Sequence, residues 1–259
     1  MIEIVPMDEG YLHTRCLHSG PVDTAVCQHA EDPLPEGHPP HPWSDETLHE
    51  VIQRYRAHDI SCCPPPAAFS RELMHRYGTC AILAWEGQKV VGQLFFYPMR
   101  IARMLEVLWE SIPPLVPSAA CDPEEGEGIL WVLCVMSSRP YLGSQPDTIT
   151  GCDWPMVADA GARRGVGQRL VGGLIDWARE HEWRRIVKVA HADVDCLYGQ
   201  LGGGGKAFWK KAGFEVAKST YFLPESWKAG FRDLAESQGR EKGMTAGEVW
   251  TWYRMRYDL

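Results

Sequence analysis

The sequence predicts an α/β (α+β) fold, a mixed sheet flanked by helices, and three observations carry that reading. Thr79–Trp85 and Lys89–Tyr97 are runs of strand type flanking Glu86-Gly87-Gln88, the pattern of a β-hairpin. Ile129–Met136 is a continuous apolar run suited to a buried central strand; further on come a helix-period segment, Gly165–Glu182, and another strand, Ile186–His191. In Glu248–Leu259, Val249, Thr251, Tyr253, Met255 and Tyr257 alternate with Trp250, Trp252, Arg254 and Arg256, placing bulky side chains on both faces of a pleated surface.

The remaining elements follow in order. Residues 2–8 alternate like a short strand, and the Pro/His-rich stretch Pro33–Pro42 supports neither helix nor inner strand. Ser44 is placed to cap a helix that begins with Asp45 and Glu46 and spaces Leu48, Val51, Ile52 and Tyr55 along one face; it must end before Cys62-Cys63-Pro64-Pro65-Pro66. Phe69–Tyr77 reads as a second short helix, Pro113–Gly128 as a Pro- and acid-rich connection, and Ser137–Asp153 as an irregular excursion. Within Gly165–Glu182 the apolar stripe is Val166, Leu170, Leu174, Trp177 and Ala178. Lys206–Ala212 is a short helix stopped by Gly213, and Phe214–Phe222 a strand. In the connection Pro224–Gly247, Trp227, Phe231 and Leu234 have near-helical spacing and fit a surface helix. Without an internal repeat or a clean linker, residues 1–259 are expected to form a single domain with long loops at 9–43, 99–128 and 137–153.

At 259 residues, 45% of them hydrophobic, the chain has ample material for a packed core. The net charge of -8 argues against nucleic acid or an anionic membrane surface held by a broad basic face. The opening Met1-Ile2-Glu3-Ile4-Val5-Pro6 lacks the regions of a secretory signal, and no stretch approaches the roughly 20 apolar residues of a membrane span, so a cytoplasmic location is expected. Nine cysteines, an odd number in a long chain, then read as mostly free thiols, with Cys134 in the apolar run as core. His13, Cys16, His18, Cys27 and His29, with Cys62 and Cys63, are zinc-ligand types, but no pair has Cys-x-x-Cys or His-x3-His spacing and no metal site is expected.

The chemistry concentrates in Trp154–Leu170, where Gly165 and Gly167 let a ligand approach main chain at the start of a helix. The first N–H groups of a helix lack internal acceptors, and its dipole adds about half a positive charge there, so a pyrophosphate fits without a lysine. A ligand-free strand-to-helix connection is the plain alternative. Dinucleotide binding of the Rossmann type is disfavoured by Leu170 in place of a third glycine, and a P-loop is excluded because Gly-Lys-Ser/Thr is missing.

Ala162-Arg163-Arg164-Gly165-Val166-Gly167 resembles the cofactor motif of the GNAT (Gcn5-related N-acetyltransferase) superfamily, Arg/Gln-x-x-Gly-x-Gly/Ala after the fourth strand, and departs from it at Ala162. About 40 residues on, Ala207-Phe208-Trp209-Lys210-Lys211-Ala212-Gly213-Phe214-Glu215 is similar to the family's Phe-Tyr-x-Lys-x-Gly-Phe segment, with Trp209 at the tyrosine. The resemblance spans residues 154–222 and implies a GNAT-like, mostly antiparallel central sheet. It also implies an acetyl-CoA or other acyl-CoA cosubstrate, its pyrophosphate on Arg163, Arg164, Gly165, Val166, Gly167 and Gln168, with Trp209 beside it. The family's spacing ends the fourth strand at Val157, beside the acyl-CoA. Residues 129–136 and 154–158 are then either two parts of one strand or two separate strands.

The implied activity is transfer of acetyl from acetyl-CoA to an amine of a small molecule or peptide by direct attack. The alternative is a catalytically degenerate acyl-CoA-binding module, which Trp209 and Ala162 favour, since an indole N–H cannot act as a proton-donating acid. Tyr198, expected in the loop after the Ile186–His191 strand, is the nearest replacement acid. His191 and Asp193, at the carboxyl end of the Ile186–Ala190 strand, are the candidate bases, imidazole being matched to proton removal near neutrality. The plain reading of His191 is that it hydrogen-bonds a neighbour at the strand end. No motif in the long loops names the acceptor, and a homodimer is left open.

Overall fold

The structure, a computed structural model, describes residues 1–13, 17, 22–23, 42–57, 67–104, 127–137, 165–201, 204–223, 227 and 229–259. One sheet of eight strands runs through them. In chain order these are β1 (Ile2–Pro6), β2 (Val22–Asp23), β3 (Ala81–Glu86), β4 (Lys89–Pro98), β5 (Ile129–Ser137), β6 (Arg185–Ala190), β7 (Glu215–Tyr221) and β8 (Thr251–Asp258). The order across the sheet is β1-β3-β4-β5-β6-β8-β7, with β2 pairing the start of β4. Every pairing is antiparallel except β5 with β6.

The hairpin forms as its sequence dictates: Glu86 faces Lys89 across Gly87-Gln88, and Gly87 takes the positive φ of +63° that a tight turn needs. The run from Ile129 is the buried central strand. Helices α1 (Asp45–Ala57) and α2 (Ala67–Tyr77) also appear where the apolar spacing puts them, and Ser44 Oγ accepts the Thr47 N–H at 3.1 Å, the expected N-cap. Arg76 of α2 joins Glu72, Asp45 and the Trp43 carbonyl, fixing α1 against α2. Both pack on one face of the sheet through Leu48, Ile52, Phe69 and Leu73.

Helix α4 (Val166–Glu180) covers the opposite face with Val166, Leu170, Leu174, Trp177 and Ala178, the stripe predicted from its period, and with Val171 in addition. Three expectations need correction. The connection from residue 99 begins as a helix, α3 (Met99–Met104), whose Met99, Ile101 and Ala102 are buried, so apolar packing extends it past β4. Tyr198 lies on a short helix, α5 (Asp195–Leu201), and not in a loop. The final strand starts at Thr251, because Thr245 and Glu248 form a capping box that holds α8 (Ala246–Val249) in helical form. Helix α6 (Lys206–Lys211) is followed by Gly213 at φ +90°, and α7 (Ala229–Glu241) supplies the expected Phe231 and Leu234, with Ala235, to a separate cluster that includes Trp250 and Trp227. Among the described residues no helix is long and apolar enough to cross a membrane.

Candidate functional site

β5 and β6 run side by side for only three residue pairs, Ile129 with Arg185, Leu130 with Ile186 and Trp131 with Val187. Beyond these β5 continues to Ser137 against β4, while β6 continues to Ala190 against β8. The parting coincides with a bulge: Phe95 faces Cys134 and Phe96 faces Val132, leaving Leu133 as the extra residue of β5. At the apex lies Lys188, only 7% exposed, whose Nζ donates a hydrogen bond to the Leu133 carbonyl at 2.7 Å. Lys188 pairs with Met255, a core residue beneath α4, and therefore projects on the α4 face of the sheet.

The glycine turn meets this parting from above. Gly165 precedes α4 in the left-handed conformation (φ +69°, ψ 15°) without any side-chain cap, and the first helical bond runs from the Arg169 N–H to its carbonyl. The N–H groups of Val166, Gly167 and Gln168 thus come before the helical ladder begins. A helix connecting two parallel strands starts over their carboxyl ends. The packing agrees: a β-carbon on Gly92 of β4 would come within 2.6 Å of Val166 and 3.0 Å of Leu170, and Gly92 pairs with Ser137, the last residue of β5. On the other side Gln168 Nε2 donates to the Phe208 carbonyl at 2.8 Å, and a β-carbon on Gly167 would sit 3.1 Å from the Phe208 ring. The first turn of α4 therefore sits between Gly92 of β4, which pairs with the carboxyl end of β5, and Phe208 of α6, and the two sequence motifs, 40 residues apart, are in contact. The sheet is mixed and mostly antiparallel with helices on both faces, the fold class expected from the sequence.

No family model and no curated protein sequence matches the chain. Solved structures do resemble it. The ribosomal-protein-S18-alanine N-acetyltransferase from Escherichia coli aligns over 100% of this chain and 94% of its own at 10% identity and a TM-score of 0.40. An acetyltransferase of the GNAT family from Streptococcus pneumoniae aligns over 83% and 94%, at 10% identity and 0.38. A Bacillus subtilis acetyltransferase in complex with CoA aligns over 73% and 84%, at 12% identity and 0.35.

The three catalytic candidates form one cluster at the end of β6. His191 is 2% exposed; its Nδ1 lies 2.6 Å from the Ala192 carbonyl, which accepts only, so Nδ1 carries the proton and Nε2 the lone pair. Nε2 is buried and has no hydrogen-bond partner among the described residues. Burial lowers the imidazole pKa from 6.5 to about 4, outweighing the Ala192 hydrogen bond that acts to raise it. The Tyr198 ring stands edge-on to His191 at 4.9 Å, and Trp252 at 6.5 Å.

Tyr198 donates its hydroxyl to Asp193 Oδ1 at 2.6 Å, and burial, followed by that bond, pushes its pKa up. Asp193 also accepts the Ala207 N–H, at 3.0 Å on Oδ1 and 3.1 Å on Oδ2, at the start of α6. The Lys206 N–H reaches the His191 carbonyl at 2.9 Å. Gly205 is wedged among these groups: a β-carbon there would approach the Tyr198 hydroxyl to 2.5 Å and Asp193 still more closely. Only glycine fits.

Trp209 is fully buried, 5.2 Å from the Phe208 ring centre and 4.9 Å from that of Phe214, and so backs the residue that touches the turn. Val157, Arg163 and Arg164 lie outside the described residues, as do Cys16, His18, Cys27, His29, Cys62 and Cys63. His13 is a core histidine 2.8 Å from Gln93 Oε1. Sequence reasoning overlooked Lys188, Gly92 and Gly205. Lys188 alone carried a visible signal, a cation in the middle of the apolar strand Ile186-Val187-Lys188-Val189-Ala190.

Proposed function

We propose that the chain is an acyl-CoA-dependent N-acyltransferase of the GNAT type, moving acetyl from acetyl-CoA to an amine of a small molecule or peptide. The observation that carries this reading is the first turn of α4 packed between Gly92 and Phe208, beside the carboxyl end of β5 where that strand has parted from β6. The pyrophosphate would rest on the backbone amides of Val166, Gly167 and Gln168, joined by Gly165, Arg164 and Arg163 of the same turn. The pantetheine arm would run inward along β5 toward the Leu133 bulge. Trp209 would contribute by holding Phe208 against Gly167.

The reaction needs one nitrogen to attack and one sulfur to leave. A C–N bond forms at the thioester carbon, the C–S bond breaks, and its electron pair stays on sulfur. Burial keeps His191 neutral, so Nε2 can take the proton from the attacking nitrogen as the C–N bond forms, when that nitrogen is most acidic. A thiol of pKa about 8.5 leaves without a strong acid. Tyr198, bonded to Asp193, would position the His191 ring instead of protonating sulfur.

A second reading, an acyl-CoA-binding module without turnover, is favoured by Trp209 at the tyrosine position and by the tied Tyr198 hydroxyl. Release of CoA thiol across a panel of small amines and peptide N-termini separates the two: release supports the transferase, and binding without release supports the module. A cytoplasmic setting accords with the free thiols of Cys80, Cys134 and Cys196.

A further inference from the structure

Lys188 places a buried cation at the apex between β5 and β6, among apolar side chains. Its neighbours along the strand, Ile186 and Ala190, are fully buried, as are Leu130 and Val132 on β5. The lysine stem crosses from β6 to β5 and its ammonium is bonded to the Leu133 carbonyl at 2.7 Å. Immediately inward the strands are paired, Trp131 with Val187.

We infer that Lys188 is the floor of the acyl slot and restricts the cosubstrate to short acyl groups such as acetyl. The inference rests on the acyl-CoA reading above: with the pyrophosphate at α4 and the arm along β5, the acyl group arrives at Leu133. A long apolar chain reaching that point must displace a buried, hydrogen-bonded cation or lie against it, and either is unfavourable. A short acyl group stops before it and leaves the Lys188–Leu133 bond intact.

The test is a calorimetric titration series of the full chain with CoA, acetyl-CoA, butyryl-CoA and octanoyl-CoA, for the natural protein, Lys188→Ala and Lys188→Met. The natural protein is expected to bind acetyl-CoA at least tenfold more tightly than octanoyl-CoA. In Lys188→Ala the order should reverse, since each buried methylene is worth about fourfold in affinity where an apolar slot is open. Lys188→Met keeps the volume and removes the charge, and should narrow the discrimination without reversing it. Equal affinity of the natural protein for acetyl-CoA and octanoyl-CoA overturns the inference even if neither variant folds, and so does an unchanged order in Lys188→Ala. Absence of binding by all four ligands removes the acyl-CoA reading itself, a distinct outcome from binding without chain-length preference.

Discussion

Gly92 and Val166 are packed so closely that a single β-carbon on Gly92 would come within 2.6 Å of the valine side chain. The contact ties the start of α4 to the strand beside β5, and it sets the position of the first-turn amides of α4 relative to the sheet.

Gly92→Ala should therefore act on binding as well as on stability. Overpacking of this kind costs about 1–3 kcal/mol, and the relief available is a shift of the first turn of α4. Urea unfolding should show that loss, and calorimetry should show acetyl-CoA affinity reduced by about tenfold, equivalent to roughly 1.4 kcal/mol. Unchanged affinity in a destabilised variant would separate the helix start from the cofactor.

Much of this fold was legible because local signals agreed with tertiary ones. The hairpin around Gly87, the Ser44 cap and the α4 stripe each combine a turn or cap residue with a matching apolar period. The boundary at Thr251 was missed because Val249 and Trp250 continue the strand alternation, while the Thr245–Glu248 capping box decides the local structure. At the site, the glycine turn and the His191–Asp193–Tyr198 set were visible as motif and strand-end residues. The close approaches at Gly92 and Gly205 were not, since they arise between segments far apart in the chain. The bond from Lys188 to Leu133 was hidden for the same reason, joining residues 55 apart.

His191 should give the protein a defined acid sensitivity. Its folded pKa, about 4, lies below the unfolded value of 6.5, so between these values the unfolded chain binds more protons. The stability contributed is fully present above pH 6.5 and is lost as pH falls toward 4, on the order of 3 kcal/mol in total. Unfolding free energies measured from pH 7 to 4 should fall more steeply for the natural protein than for His191→Gln. Parallel curves would contradict the burial of a neutral imidazole.

Tyr198 and His191 should separate in activity. Once an amine substrate is found, His191→Gln is expected to lower kcat by about a hundredfold or more, the scale of general-base catalysis. Tyr198→Phe should lower stability by about 1–2 kcal/mol through loss of the Asp193 hydrogen bond. Its kcat should fall by less than about tenfold, below the usual scale of general acid–base catalysis. A larger loss in Tyr198→Phe, with a shifted alkaline limb of the pH profile, would make the tyrosine the acid.

The buried thiols should be inert in the folded state. Burial pushes Cys80 up to about 12 and Cys196 up to about 11, so neither carries appreciable thiolate near pH 8. Iodoacetamide labelling followed by peptide mass spectrometry should modify both only after unfolding. Rapid native labelling of either would show that its surroundings open.

Calorimetric titration of acetyl-CoA into the full chain tests the central claim most directly. Saturable binding of one acetyl-CoA per chain, competed by CoA and weakened in Gly92→Ala, is the result predicted for a pyrophosphate held at the start of α4. No heat of binding at high micromolar acetyl-CoA would contradict it.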